Sequence, residues 1–354
     1  MVNIGIIGCG YWGPNLLRNF NSLSNCRVKM AAELDDSRIL YLNQKFPSVR
    51  TTKNYKDLFA NEIDAVVIAT PPTTHYAMAK EALTHKKHLL VEKPLAMNSV
   101  DAQELIDLAA QNMCTLMVGH TFEFNAAVRT MKKYVQSGEV GKPYYIYSQR
   151  LNLGIIRRDV NALWNLAPHD ISILLYLFEK MPVSVSARGY AFIQPGIEDL
   201  IFMTLQFPDD LVAHVHVSWL DPNKVRRMTL VGSKKMVVYD DTSDAKIKIY
   251  EKGITKANIN ESLGRYDDFG EFQLMKSAGN VVFPKIDFIE PLGVECANFI
   301  DAITNQTKPL TDGENGLRVV RILEAAQKSL ENSGQTIELA ESHVLIFPNE
   351  IQRE

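Results

Sequence analysis

The feature that most restricts the fold comes early in the chain. Gly8-Cys9-Gly10-Tyr11-Trp12-Gly13 stands directly after the β-branched run Val2 to Ile7. It precedes Leu16, Leu17, Phe20 and Leu23, which recur at helical spacing. Strand, glycine-rich turn and helix in that order admit few architectures. Gly8 permits a tight turn, Gly10 lets the backbone approach a ligand, and Gly13 lets the helix seat close to the strand. The first N–H groups of a helix have no intrahelical acceptor, so the turn offers them to an anion. Glycine spacing alone is common by chance, and glycines that serve packing only are the competing reading. The flanking strand and helix give the spacing its weight.

The strand–helix pattern then repeats. Val28 to Ala32 reads as a strand, Asp36 to Lys45 as a helix, Ala65 to Ala69 as a buried strand, and His75 to His85 as a helix. His88 to Val91, a helix around Val100 to Gln111, and Thr115 to Val118 complete the series. Strands that are apolar throughout, separated by helices, predict a parallel sheet covered on both faces. After Gly119 the strands lengthen and alternate: Tyr144 to Arg150, Val183 to Tyr190, Leu200 to Phe207, Leu211 to Trp219 and Met228 to Val231. Met236 to Tyr239 and Ile247 to Tyr250 follow, and short turns such as Pro208-Asp209-Asp210 join them. That texture predicts an open, largely antiparallel sheet. Helical stripes close the chain at Leu292, Cys296, Phe299 and Ile303, and from Gly316 to Leu330; Gly253 to Phe283 shows no period. The expectation is an α/β domain over residues 1–120 and an α+β domain over 121–354, consistent with 354 residues at roughly 100 to 200 per domain.

Charge and cysteine content exclude several classes. Thirty-eight lysines and arginines against 41 acids give a net charge of −3, without the basic excess of a nucleic-acid binder. Cys9, Cys26, Cys114 and Cys296 are scattered, which suits reduced thiols in the cytoplasm rather than disulfides or a thiolate metal site. His214 and His216 share a strand face but have no evident third ligand, so no metal is expected. No apolar run approaches the roughly 20 residues of a membrane span, and no signal peptide is evident.

An acid that accepts from ribose hydroxyls is expected about 20 residues beyond the glycine turn. Glu33 stands there, and a carboxylate repels a 2′-phosphate, favouring NAD over NADP. Arg38 nearby leaves NADP as the minor alternative, and a merely solvated Glu33 is the bland one. Tyr11 and Trp12 lie in the turn, while Thr70, Pro71, Pro72 and His75, and then Glu92-Lys93-Pro94, follow the next strands. Ligands in open α/β sheets bind outside the carboxyl ends of strands, so these loops are expected at the cofactor. Lys93 suits proton transfer or a grip on a substrate oxygen, unless it simply pairs with Glu92. In the second half, Pro168 is expected to begin a helix and so to place His169 and Asp170 in its first turn. There the helix dipole would keep His169 neutral, and Asp170 would either face substrate or stabilise the helix start.

These segments together resemble the Gfo/Idh/MocA oxidoreductases over nearly the whole chain. The marks are the turn Gly8 to Gly13, the Ala-Thr-Pro loop ending in His75, Glu92-Lys93-Pro94, and Asn165 to His169. The resemblance implies a Rossmann domain followed by an α+β domain whose sheet mediates a homodimer or homotetramer. It also implies NAD(P)-linked dehydrogenation of a sugar or polyol CH–OH, with Lys93 and His169 catalytic. Asn165 departs from the family's aspartate at that position, and an asparagine does not exchange a proton. Asn152, Arg157, Arg158, Asp159, Asn161, Trp164 and Asp170 resemble the branch that acts on nucleotide-linked sugars, such as the 3-position of UDP-N-acetylglucosamine. An arginine fork suits a diphosphate, and surface arginines are the competing reading. A free sugar, inositol or aldose as substrate, or a non-catalytic sensor of NAD or sugar, remains the alternative.

Overall fold

The computed structural model describes residues 1–154, 156–253 and 279–339. Along the chain the helices are α1 (Gly13–Ser22), α2 (Asp36–Lys45), α3 (His75–Thr84), α4 (Ser99–Gln111), α5 (Ala126–Gln136), α6 (Ala162–Phe178), α7 (Pro291–Asn305) and α8 (Gly313–Glu331). Two compact units result: Met1–Asn125 with Phe288–Glu324, and Ala126–Asp287 with Ala325–Glu354.

The first unit carries β1 (Val2–Ile7), β2 (Cys26–Ala32), β3 (Arg50–Thr52), β4 (Ala65–Ile68), β5 (His88–Glu92) and β6 (Leu116–Gly119). They pair in parallel in the order β3-β2-β1-β4-β5-β6. The order reverses between β1 and β4, and that switch point leaves a crevice at the carboxyl ends of the strands. Ala65, Val66, Val67 and Ile68 are all fully buried, as a strand covered on both faces requires. The expected strands and helices of this half are present, within a residue or two at most ends.

Residues 288–324 return to this first unit rather than extending the second domain expected from residue 121 onward. The reason is the apolar stripe of α7. Leu292, Cys296 and Phe299 are buried in one core with Leu16, Leu17 and Phe20 of α1. Phe20 and Phe299 meet edge to face at 6.3 Å. Arg18 adds a two-pronged hydrogen bond to the Glu290 carboxylate, at 2.8 and 2.6 Å.

The second unit holds β7 (Pro143–Leu151), β8 (Ser184–Tyr190), β9 (Leu200–Gln206), β10 (Val212–Ser218), β11 (Val225–Gly232), β12 (Met236–Asp240), β13 (Ile247–Tyr250), β14 (Val281–Val282) and β15 (Ile337–Glu338). Their order is β14-β13-β12-β11-β7-β10-β9-β8-β15. The sheet is mixed and mostly antiparallel. One pair, β7 with β10, is parallel, because the β8–β9–β10 meander reverses direction twice before β10 docks on β7. Ile146, Ser148 and Arg150 of β7 are buried, whereas Tyr145 and Tyr147 are exposed on the alternate face. The expectation of no period from Gly253 to Phe283 falls largely outside the described residues.

The expected helix start at Pro168 is corrected. Helix α6 begins at Ala162, and Pro168 lies inside it. The Asn161 side chain accepts from the Trp164 N–H and so supplies the N-cap several residues earlier. His169 is therefore mid-helix, and the helix-dipole argument for its charge state falls away. Proline has no N–H, so the Trp164 carbonyl gets no bond from residue 168.

Candidate active site

The glycine turn is shaped as a dinucleotide site requires. Gly8 has φ +87°, and a Cβ there would stand 2.8 Å from the Ala69 carbonyl oxygen. A Cβ on Gly13 would come within 2.4 Å of the Gly8 carbonyl oxygen, so the helix start rests directly on the turn. At Gly10 a Cβ would meet no atom of the described residues within 4 Å. The chain thus leaves open space over the one glycine whose backbone must approach a pyrophosphate, which fits NAD. Tyr11 is exposed beside it.

Glu33, at the end of β2, reaches back to the turn. Its Oε2 accepts from the Cys9 N–H at 2.7 Å, and its Oε1 accepts from Leu34 and Asp35 at 2.7 and 3.0 Å. Each carboxylate oxygen has two lone pairs, so capacity remains for a ribose hydroxyl. Burial, reinforced by the Glu33 charge, pushes the Cys9 thiol up to about 12, so this cysteine stays protonated and inert.

The loops after β4 and β5 are braced by His75. The ring is fully buried; Nδ1 lies 2.8 Å from the Pro94 carbonyl and Nε2 2.9 Å from the Thr70 carbonyl. His75 therefore ties the Thr70–Pro72 loop to the Lys93–Pro94 loop. Each ring nitrogen lies against a backbone carbonyl, and whichever carries the ring N–H donates to its own, while Pro72 itself is buried. Glu92 links this loop to the glycine turn, since the Trp12 indole donates to its carboxylate and the Lys93 N–H adds a bond of 3.3 Å. The residue keeps some exposure, but its carboxyl end packs on Gly119, where a Cβ would stand 3.1 Å from Cδ. Burial raises the Glu92 pKa to about 7, against the opposing pull of the Lys93 charge.

At the end of the strand beside the one that Lys93 follows lies a buried polar group that sequence reasoning missed. His120 follows β6, Glu123 lies on the short turn Thr121–Phe124, and Asn315 opens α8; all three are buried. The Asn315 amide donates to both Glu123 carboxylate oxygens, at 3.0 and 3.3 Å, while its Oδ1 lies 2.5 Å from His120 Nδ1. Burial is the main cause lowering the His120 pKa to about 4, and the Lys93 and Arg318 charges add to it. Glu295 of α7 is fully buried and held well above the usual carboxylate range, first by burial and then by the Glu92 charge. The carboxyl end of a parallel strand was the available signal for His120. Asn315 and Glu295 come from elements distant in sequence and gave none.

In the second unit, the candidate residues gather around the first half of α6. Asn161 donates to Glu198 at 2.8 Å and to Gln327 at 3.1 Å; Trp164 is buried and its indole donates to the same Gln327 oxygen at 3.3 Å. Asn165 Oδ1 accepts from the Trp219 indole at 3.1 Å, which fixes the amide's orientation. Asn152 is held where β7 ends by an N–H bond to the Ser218 carbonyl. Asp170 turns into the core, accepting from Ser148 at 2.5 Å and from Arg150 Nε at 2.7 Å. Its carboxylate is thus committed to holding α6 on β7. Arg157 pairs with Asp159 at 2.6 Å near the surface, and Arg158 is exposed. Among the described residues no group of three or more histidines, cysteines or acids is placed to hold a metal ion, and no helix is long and apolar enough to cross a membrane.

A Rossmann strand order, a glycine turn open at Gly10 and a lysine at the end of β5 define a nucleotide-dependent oxidoreductase. Residues 2–120 match the NAD-binding Rossmann fold of the GFO/IDH/MocA oxidoreductase family, and residues 128–238 match its C-terminal domain. The chain belongs to this family. It is 25% identical to the uncharacterized oxidoreductase YrbE of Bacillus subtilis, over 92% of this chain and 93% of that one. It is 27% identical to UDP-N-acetylglucosamine 3-dehydrogenase of Acidithiobacillus ferrooxidans, over 70% and 77% of the two chains. Inositol 2-dehydrogenase 2 of Paenarthrobacter aurescens is 23% identical over 96% and 99%. The solved structure of the Acidithiobacillus enzyme shares the fold with a TM-score of 0.78 at 23% identity, covering 94% of this chain and 98% of that one.

Proposed function

We propose that the protein is an NAD-dependent dehydrogenase that oxidises or reduces a CH–OH carbon of a nucleotide-linked sugar, with UDP-N-acetylglucosamine at its 3-position as the leading candidate. The observation that carries this reading is Lys93. It stands at the carboxyl end of β5, next to a carboxylate that the Trp12 indole ties to the glycine turn. When bound, NAD supplies hydride acceptance and donation at its nicotinamide ring. Gly8, Gly10 and Gly13 would hold the pyrophosphate, and Glu33 the ribose. The Lys93 ammonium would hold the reacting hydroxyl, and His169 would take or return its proton. Asn165, pinned by Trp219, would orient that hydroxyl without exchanging a proton. Asn152, Arg157, Arg158, Asn161 and Trp164 are the candidates for the rest of the substrate.

The 27% identity to a UDP-N-acetylglucosamine 3-dehydrogenase supports the nucleotide-sugar reading. The inositol dehydrogenases among the relatives favour a free polyol as the second reading. Exposed Tyr145, Tyr147 and Phe202 on β7 and β9 support self-association through that sheet, and four free cysteines support a reducing, cytoplasmic setting. The test is NADH formation with UDP-hexosamines, myo-inositol and glucose, run beside Lys93→Met. A positioned acid or base is worth roughly 10² to 10⁴ in rate, so Lys93→Met should bind NAD normally and turn over at least about a hundredfold more slowly. Faster turnover of inositol would overturn the substrate, and near-normal turnover by Lys93→Met would overturn the assignment of Lys93.

A further inference from the structure

His120 is 1% exposed, yet its Nε2 makes no hydrogen bond to any described residue. Its tautomer follows from its neighbours. The Glu123 carboxylate only accepts, so the Asn315 amide nitrogen must face it, and Asn315 Oδ1 is left facing His120 Nδ1. An amide oxygen accepts, so Nδ1 carries the proton. Nε2 then presents a lone pair inside the buried interior. A buried acceptor left unsatisfied costs roughly 1–3 kcal/mol, so its retention calls for a partner or a task. Glu92 of β5 pairs with Gly119 of β6, so Lys93 and His120 leave the carboxyl ends of neighbouring parallel strands; the charges that act on this ring are the Lys93 ammonium and the Arg318 guanidinium, with the Glu123 carboxylate 3.8 Å from Nδ1. Glu92 faces Lys93 from β5, and Glu295 lies in turn beside Glu92.

We propose that His120 is a positioning residue for Lys93: the Glu123–Asn315 pair holds its ring in the Nδ1–H tautomer, and the Nε2 lone pair, left unbonded in this structure, accepts a hydrogen bond from the lysine ammonium when that side chain takes its working position, fixing where the amine stands. The arrangement rests on the reading of Lys93 as the lysine that handles the substrate hydroxyl. Glu123, Asn315 and His120 orient and do not touch substrate. An accepting lone pair stabilises the ammonium over the amine. Losing it should therefore make Lys93 deprotonate more easily, whereas losing a mere packing group should leave its titration alone.

The experiment is competitive acetylation of the intact protein with trace acetic anhydride across pH, with Lys93 followed by peptide mass spectrometry. In His120→Phe, Lys93 should lose roughly tenfold in proton affinity. His120→Gln, which keeps an acceptor near the Nε2 position, should lose less. Asn315→Leu, which releases the tautomer, should shift Lys93 in the same direction and covers the case in which His120→Phe does not fold. A Lys93 titration unchanged in both His120→Phe and Asn315→Leu would overturn the proposal. So would equal shifts in His120→Gln and His120→Phe. This readout needs no substrate. If wild type oxidises UDP-N-acetylglucosamine, the alkaline-going limb of the kcat profile should move with the Lys93 titration in His120→Phe, while the KM for NAD stays within about twofold. A stationary profile would overturn it. Absence of turnover in wild type would count against the substrate alone and leave the labelling to decide.

Discussion

Replacing Gly10 by alanine separates the cofactor role of the glycine turn from its structural role. No atom of the described residues lies within 4 Å of a Cβ built on Gly10, and its φ is outside the left-handed region. The folded chain therefore has room and conformation for alanine. Restricting the unfolded chain should even stabilise the protein by about 0.4–1 kcal/mol. The new methyl nevertheless occupies the space through which the backbone must approach a pyrophosphate. Pushing the phosphates away weakens one or two charge-assisted hydrogen bonds, worth about 1.5–3 kcal/mol each. The expected loss in NAD affinity is about tenfold to a hundredfold or more. Gly13→Ala is the contrast, since its Cβ would lie 2.4 Å from the Gly8 carbonyl oxygen. Overpacking of that kind costs about 1–3 kcal/mol and should lower stability before cofactor is considered. Titration calorimetry with NADH and scanning calorimetry without it read the two effects separately. Gly10→Ala with wild-type NADH affinity would refute the assignment of this turn to the pyrophosphate, and a destabilised Gly10→Ala would refute the reading of open space.

Two further outcomes follow from the same unit. Glu33→Ala removes both the acceptor for the ribose hydroxyls and the charge opposed to a 2′-phosphate, so NAD affinity should fall, NADP affinity should rise, and the preference for NAD should narrow by about tenfold, ~1.4 kcal/mol. Matched titrations of both cofactors check this, and an unchanged ratio would count against Glu33. Glu92 titrates at about 7 in the fold against an ordinary 4.5, so its contribution to stability is full below 4.5 and is lost as pH rises through 7. Glu92→Gln has no proton to lose, and should gain on wild type in mildly alkaline buffer while differing little in mildly acidic buffer. Thermal unfolding in both buffers measures the gap, and a gap independent of pH would contradict the burial of that carboxyl.

Local chemistry was legible because its signals are local. Glycines at Gly8, Gly10 and Gly13 state a backbone requirement at their own positions, and apolar runs such as Ala65 to Ile68 declare a strand buried on both sides. Glu33, Lys93 and their loops followed from the rule that such strands present ligands at their carboxyl ends. The Pro168 expectation failed for a local reason too. Proline favours a first turn, but the Asn161 cap and the apolar residues between them outweighed that preference.

What the sequence alone determined was the order of elements and the identity of the groups at the carboxyl ends of the parallel strands. Only the tertiary structure decided which distant groups those residues meet. It brought α7 and the start of α8 back to the first unit, because an apolar stripe is indifferent to which partner buries it until the core is assembled. It committed Asp170 to Arg150 and Ser148 rather than to solvent, and it set Asn315 between Glu123 and His120, 195 residues from the histidine whose tautomer it fixes. Hydrogen bonds of that kind depend on angles and distances of a few ångströms, and no spacing along a chain encodes them.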